Sequence, residues 1–93
     1  MTAYRRRTDA NHADIVAALR KTGWIVWDTH HYPEFVDAIA MKAGRLKFIE
    51  IKDGSKPPSA RRLTLAQEHL HGWLQWAEHP VVVLASVEEA LNL

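Results

Sequence analysis

The first third of the chain carries a pattern typical of one helix followed by one strand. Apolar positions recur at helical spacing at Ile15, Val16 and Leu19. Thr8 or Asp9 can cap this helix. We expect it to run to about Lys21, with Gly23 as its C-terminal stop. The aromatic and β-branched segment 24–27 then predicts a strand.

Two further segments read as a hairpin. Segments 35–41 and 45–52 are strand candidates, and the short turn signal 42–44 separates them. The loop 53–62 follows, and its prolines and glycine argue against a regular element there. Loops of this length in a small domain are often functional.

Capping boxes mark two helices in the last third of the chain. Thr64 and Gln67 open the first of them. Its apolar stripe consists of Leu70, Trp73, Leu74 and Ala77. Segment 81–84 has no polar alternation and predicts a buried strand. Ser86 and Glu89 form the second capping box, which opens a short final helix.

The resulting order is helix, three strands, helix, strand, helix. Because a helical crossover leads to the last strand, we expect that strand to join the sheet parallel to a neighbour. The predicted fold class is therefore α/β, with a mixed four-stranded sheet flanked by helices in the order αβββαβα.

Composition limits the chain to one domain. Its 93 residues are 47% hydrophobic and 25% charged, which predicts a single globular domain over residues 1–93. Without cysteine, disulfides, thiolate metal sites and cysteine nucleophiles are excluded. No apolar run approaches the ~20 residues of a membrane span, and the basic N-terminus does not continue into a signal peptide. We expect a cytoplasmic protein with no membrane partner.

The net charge of +1 does not by itself indicate a nucleic-acid-binding protein. The basic residues are nevertheless clustered. One cluster is Arg5, Arg6 and Arg7, and the other is Lys56, Arg61 and Arg62. Arg61 and Arg62 precede a helix N-terminus, where they can bind phosphate together with its free amides, or simply be solvated.

The predicted hairpin carries the candidate chemistry. Glu50 and Lys52 point to the same face, because side chains alternate along a strand. If residues 43–44 form a two-residue turn, Asp37 lies opposite Glu50, whereas a three-residue loop would shift this register by one. Opposed carboxylates repel, and a divalent cation between them would offset that repulsion. Lys52 could then orient or deprotonate an attacking water.

Each of these residues also has a purely structural explanation. A Glu-x-Lys pair is common on a solvated strand, although Phe48 on the same face indicates a central strand for Glu50 and Lys52. Gln67 can act only as the partner of Thr64 in the capping box, or it can also reach the site from the inner face of its helix.

Histidines and tryptophans give weaker signals. The six histidines include His30, His31, His69 and His71. Because adjacent residues, or residues two apart on a helix, do not point at one ion, we interpret the histidines as surface or loop residues. His30 or His31 can still lie near Asp37, since both precede the second strand. Trp73 belongs to the predicted core stripe, and an exposed Trp76 would suit a dimer contact.

Asp37, segment 48–52 and Gln67, with a basic loop between the last two, resemble the PD-(D/E)xK nuclease superfamily, and especially its small virus-type VRR-NUC members from phage and prophage. The resemblance covers nearly the whole chain. It implies a restriction-endonuclease-like core, with Asp37 and Glu50 as metal ligands, Lys52 as the water-activating residue and Gln67 as an auxiliary catalytic residue. It also implies Mg²⁺ or Mn²⁺ as cofactor and cleavage of DNA, often branched DNA, by a homodimer.

The sequence departs from that family pattern at two places. Val36 replaces the proline of the motif. Family members commonly carry a glutamate on the first helix, where Asp14 is the nearest acidic residue, either as a further metal ligand or as a solvated side chain. Two other classes of function stay open: a nuclease-fold protein that binds nucleic acid or a protein without cutting, and a small interaction domain.

Overall fold

A four-stranded sheet with helices on its faces organises the chain. The structure, a computed structural model, describes residues 9–93. Its regular elements are α1 His12–Lys21, β1 Ile25–Asp28, β2 Ala38–Lys42, β3 Arg45–Ile51, α2 Leu65–Trp76, β4 Val82–Leu84 and α3 Val87–Leu91. The predicted order αβββαβα is confirmed.

The sheet is mixed, as predicted. Its strand order is β1-β2-β3-β4, so β2 and β3 are central. The first three strands pair antiparallel, whereas β4 pairs parallel with β3 after the crossover through α2. The central position predicted for the strand of Glu50 is therefore confirmed.

The hairpin between β2 and β3 closes through a two-residue turn. Ala43 and Gly44 have φ values of 49° and 78°, and positive φ at both central residues is the requirement of a type I′ turn. Lys42 pairs with Arg45, and the register continues to Ala38 opposite Ile49. This is the predicted register, and it fixes which face of the sheet each following side chain occupies.

The core lies on one face of this sheet. Ala38, Ile49 and Ile51 point to that face and are buried with the apolar side of α1. Ile15 and Leu19 of α1 have no exposed surface. Helix α1 also contacts α3 and β1. The opposite face of β3 carries Phe48 and Glu50, and Glu50 contacts α2 there.

Helix α1 begins later than expected. Its N-cap is Asn11, not Asp9, and the alternative cap Thr8 lies outside the described residues. The Asn11 side chain does not cap the helix; it donates hydrogen bonds to the carbonyl oxygens of Lys52 and Ala85, both at 3.1 Å. Asn11 thus joins the start of α1 to the ends of β3 and β4.

Three expectations for the second half of the chain are wrong. Trp73 is 71% exposed and does not belong to the core, and no residue of α2 is buried. Strand β4 lies at the sheet edge, where Val83 is exposed. The loop 53–62 contains a 3₁₀ turn, Pro58–Arg61, since proline is compatible with a first helical position.

No helix within residues 9–93 has both the length and the apolar character needed to cross a membrane.

Candidate functional site

The candidate site lies on the α2 face of the sheet, where β2 begins and β3 ends. Asp37 directly precedes β2, Glu50 is the penultimate residue of β3, and Lys52 directly follows that strand. Both carboxylates are buried: Asp37 is 7% exposed and Glu50 is 1% exposed. Acidic side chains are almost never this buried unless they are paired or bind an ion.

Asp37 is fixed beside Glu50 by hydrogen bonds to the two neighbours of Glu50 in β3. Its main-chain N–H donates to the carbonyl oxygen of Ile49 at 2.9 Å. Its Oδ2 accepts from the N–H of Ile51 at 2.8 Å. The regular register stops at Ala38, one residue short of Asp37. Asp37 therefore lies at the end of the hairpin away from the turn, and it contacts β3 through both its backbone N–H and its carboxylate.

Gln67 connects Glu50 of β3 to Lys52, which directly follows the strand. Its Nε2 donates to Glu50 Oε2 at 3.0 Å, and its Oε1 accepts from Lys52 Nζ at 3.1 Å. Lys52 Nζ also lies 4.0 Å from Glu50 Oε2. Gln67 completes the capping box with Thr64 at the same time. The two explanations offered for Gln67 are therefore both satisfied by one side chain.

His71 is a site residue that the sequence does not predict. Its Nε2 lies 3.5 Å from Glu50 Oε1. Partial burial lowers the pKa of His71, the positive charge of Lys52 lowers it further, and Asp37 acts in the opposite direction. Burial and the Lys52 charge thus favour the neutral form of the imidazole. The sequence does carry one signal for His71: it lies four residues after Gln67 on α2, and residues four apart share one face of a helix.

The acidic donors of the site are of the type that hard cations bind. Two carboxylates, Asp37 and Glu50, are taken out of water side by side, and burying such charges is costly unless charge and hydrogen bonds compensate. Lys52 supplies one positive charge within 4.0 Å of Glu50. Carboxylate oxygens each accept more than one bond, so their present hydrogen bonds are compatible with a metal ligand role. Oxygen donors of this kind suit Mg²⁺ or Mn²⁺.

The remaining candidates lie around this centre or away from it. Arg61 is the last residue of the 3₁₀ turn, Arg62 follows it three positions before α2 begins, and Lys56 lies in the same loop. Arg5, Arg6 and Arg7 fall outside the described residues. Asp14 is exposed on α1, the helix that covers the sheet face opposite Glu50. The structure does not bring Asp14 into contact with Asp37 or Glu50, and its role as a metal ligand stays a prediction.

Interpreting all six histidines as surface or loop residues is wrong for two of them. His12 is 5% exposed in the first turn of α1, and His71 is partly buried beside Glu50. Both gain their burial from chain segments distant in sequence, which a local pattern does not report.

Comparison of the chain with protein-family models, with curated proteins and with solved structures finds no match.

Proposed function

We propose that the chain is a metal-dependent DNA endonuclease with a restriction-endonuclease-like core of the PD-(D/E)xK type. The observation that carries the proposal is the buried Glu50 of the central strand, with Asp37 held against its two neighbours and the Lys52 amine 4.0 Å away. Two carboxylates and a lysine on one sheet face are the groups that metal-assisted phosphodiester hydrolysis needs.

Asp37 and Glu50 would hold the metal ion, Mg²⁺ or Mn²⁺. When bound, such an ion supplies Lewis-acid stabilisation of negative charge on a phosphate. The fit rests on the donors present: the carboxylate of Glu50 on β3 and that of Asp37 just before β2, oriented by the Ile51 N–H and by the Gln67 side-chain amide. Donors held on a strand keep their positions better than donors on a loop.

Lys52 is the residue we assign to the nucleophilic water. Its ammonium donates to Gln67 Oε1 and so has a defined position at the open end of β3. From there it can orient a water and offset the charge that develops on the phosphate. Gln67 keeps Lys52 and Glu50 in place, and the His71 imidazole lies 3.5 Å from Glu50, where it can exchange a hydrogen bond with that carboxylate or with a bound water.

DNA is the partner that the surroundings of the site support. Arg61 and Arg62 lie next to the N-terminus of α2, and this helix also carries Gln67 and His71. Basic side chains and free amides at a helix N-terminus both attract phosphate. A strand bound there would run toward the proposed catalytic centre.

A second copy of the chain is the other partner we propose. Helix α2 exposes a large apolar area that includes Leu65 at 68%, Trp73 at 71% and Trp76 at 88%. Exposed aromatic patches of this kind are typical of protein interfaces.

Incubation with DNA tests the proposed activity. Supercoiled, single-stranded and four-way-junction DNA are each treated with the protein plus Mg²⁺, Mn²⁺ or EDTA. We expect nicking or cleavage that requires metal and that is lost in the Glu50→Ala and Lys52→Ala proteins. Preferential cleavage of the junction would indicate selectivity for branched DNA.

Two results would count against this proposal. Equal cleavage by wild-type protein and both variants would identify a contaminating nuclease. Tight DNA binding by wild-type protein without cleavage under any metal condition would instead support the alternative of a nuclease-fold protein that binds without cutting. The exposed Glu68→Gln variant is the matched control, because Glu68 neighbours Gln67 on α2 but points to solvent.

A further inference from the structure

A second group of metal-ligating side chains lies at the start of α1. His12, Asp28 and His30 place one ligand atom each within 4.8 Å of the other two. His12 Nε2 lies 3.1 Å from Asp28 Oδ1 and 3.0 Å from Oδ2. His30 Nδ1 is hydrogen bonded to Asp28 Oδ1. Two imidazole nitrogens thus lie against one carboxylate.

This cluster is on the opposite face of the sheet from Glu50. Asp28 ends β1 and pairs with Ala38, whose side chain lies in the core under α1. Directly paired residues share a face, so Asp28 also points toward α1, in agreement with its contact to His12. Glu50 instead contacts Gln67 and His71 of α2. The two sites therefore belong to different layers of the fold.

The donor set determines the class of ion. Two histidines with one carboxylate, and an open fourth position, form a common ligand set of Zn²⁺ sites. Imidazole ligands favour first-row transition ions over Mg²⁺. Zn²⁺ binds imidazole nitrogen at about 2.0–2.1 Å, so donors around one ion lie roughly 3.3 Å apart. The His12 to Asp28 separation of 3.0 Å already approaches this spacing.

The supporting structure suits a fixed site. His12 is 5% exposed and its position is fixed by the first turn of α1, while Asp28 belongs to a paired strand. The rings of His12 and His30 also contact each other, with centroids 4.8 Å apart. On its outer side the cluster borders a surface groove along α1 that Ala13, Val16 and Arg20 line. The groove gives an ion and a water or small ligand access to the open position.

We propose that His12, Asp28 and His30 form a binding site for Zn²⁺ or a similar divalent transition ion, separate from the Mg²⁺ or Mn²⁺ site. The bound ion would connect the first turn of α1 to the end of β1, in place of the hydrogen bonds between the same three side chains. This proposal does not depend on nuclease activity.

A calorimetric titration of the untagged protein with Zn²⁺ tests the site. Besides any binding at Asp37 and Glu50, we expect one site per chain whose affinity is at least about tenfold lower in the Asp28→Asn and His30→Ala proteins. His31→Ala is the matched control, since His31 is exposed and adjacent but is not part of the cluster. Glu50→Gln should also retain the Zn²⁺ affinity, which separates this site from the proposed catalytic one.

The wild-type protein provides a second measurement that does not depend on the folding of variants. In imidazole ¹H–¹⁵N spectra, Zn²⁺ should shift the ring nitrogens of His12 and His30 and leave those of His69 and His79 unchanged. The proposal is overturned if the wild type binds no Zn²⁺, if the shifts fall on His71 alone, or if folded Asp28→Asn protein binds as tightly as wild type.

Discussion

Gln67 supports the fold and the candidate site with the same side chain. Its Oε1 accepts from the Thr64 N–H at 2.9 Å and from Lys52 Nζ at 3.1 Å, while its Nε2 donates to Glu50 at 3.0 Å. The start of α2 is therefore bonded directly to the charged end of β3. Loss of this residue should affect both stability and chemistry.

Two substitutions separate these contributions. Thr64→Ala removes the cap alone and should lower the free energy of unfolding by about 1 kcal/mol, with cleavage close to the wild-type rate. Gln67→Ala also removes the hydrogen bonds to Glu50 and Lys52, each to a charged group, and should slow cleavage by roughly 10- to 100-fold. Urea unfolding and single-turnover cleavage measure the two effects. Equal cleavage rates in the two variants would show that Gln67 acts only as a cap.

Local sequence pattern explains part of the site and not the rest. Glu50 and Lys52 were predictable because they share a strand face, and Asp37 followed from the turn at residues 43–44, where positive φ is required twice. His71 and His12 were not, because their partners Glu50 and Asp28 come from other elements. Contacts that depend on how elements are placed leave no periodic signal.

At the scale of elements, the ends of β3 and β4 are joined side by side. Lys52 donates its main-chain N–H to Leu84 at 2.9 Å, and Gly54 donates to Ala85 at 3.0 Å. A Cβ at Gly54 would lie 2.5 Å from the carbonyl oxygen of Ala85, which is closer than side chains approach backbone. The position of Lys52 thus depends on a glycine two residues later.

Gly54→Ala should lower the free energy of unfolding by about 1–3 kcal/mol, because the backbone of one of the two strand ends must shift. Gly72→Ala is the matched control: it lies within α2, where an added Cβ meets nothing within 4 Å. That change should raise stability by about 0.5–1 kcal/mol. Thermal and urea unfolding of both variants give the comparison. Similar stability in the two would contradict the close approach at Gly54.

The order and pairing of the elements could be predicted from the spacing of apolar residues, the turn signals and the crossover rule. The exposure of the apolar stripe of α2 could not. Its stripe is apolar, so the pattern indicates a covered face, yet Trp73 is exposed and Leu70 and Leu74 are only partly buried. Periodicity identifies an apolar face but not which surface covers it.

At the scale of the whole molecule, this uncovered face predicts self-association. Sedimentation equilibrium of the wild type should show a dimer, and the Trp73→Ser, Trp76→Ser double variant should be a monomer. Trp27→Ser is the control, since Trp27 is 53% exposed on the edge strand β1. A wild-type monomer at all concentrations, or dissociation by Trp27→Ser alone, would contradict this assignment of the interface.

The most direct test of the central claim is the single-turnover rate of DNA cleavage in Mg²⁺ by four proteins: wild type, Glu50→Gln, Lys52→Ala and the control Glu68→Gln. Glu50→Gln keeps the shape of the side chain and removes its charge. We expect it and Lys52→Ala to lose at least about 100-fold in rate while Glu68→Gln stays at the wild-type level. Cleavage by folded Glu50→Gln protein at the wild-type rate would contradict a metal site at Asp37 and Glu50.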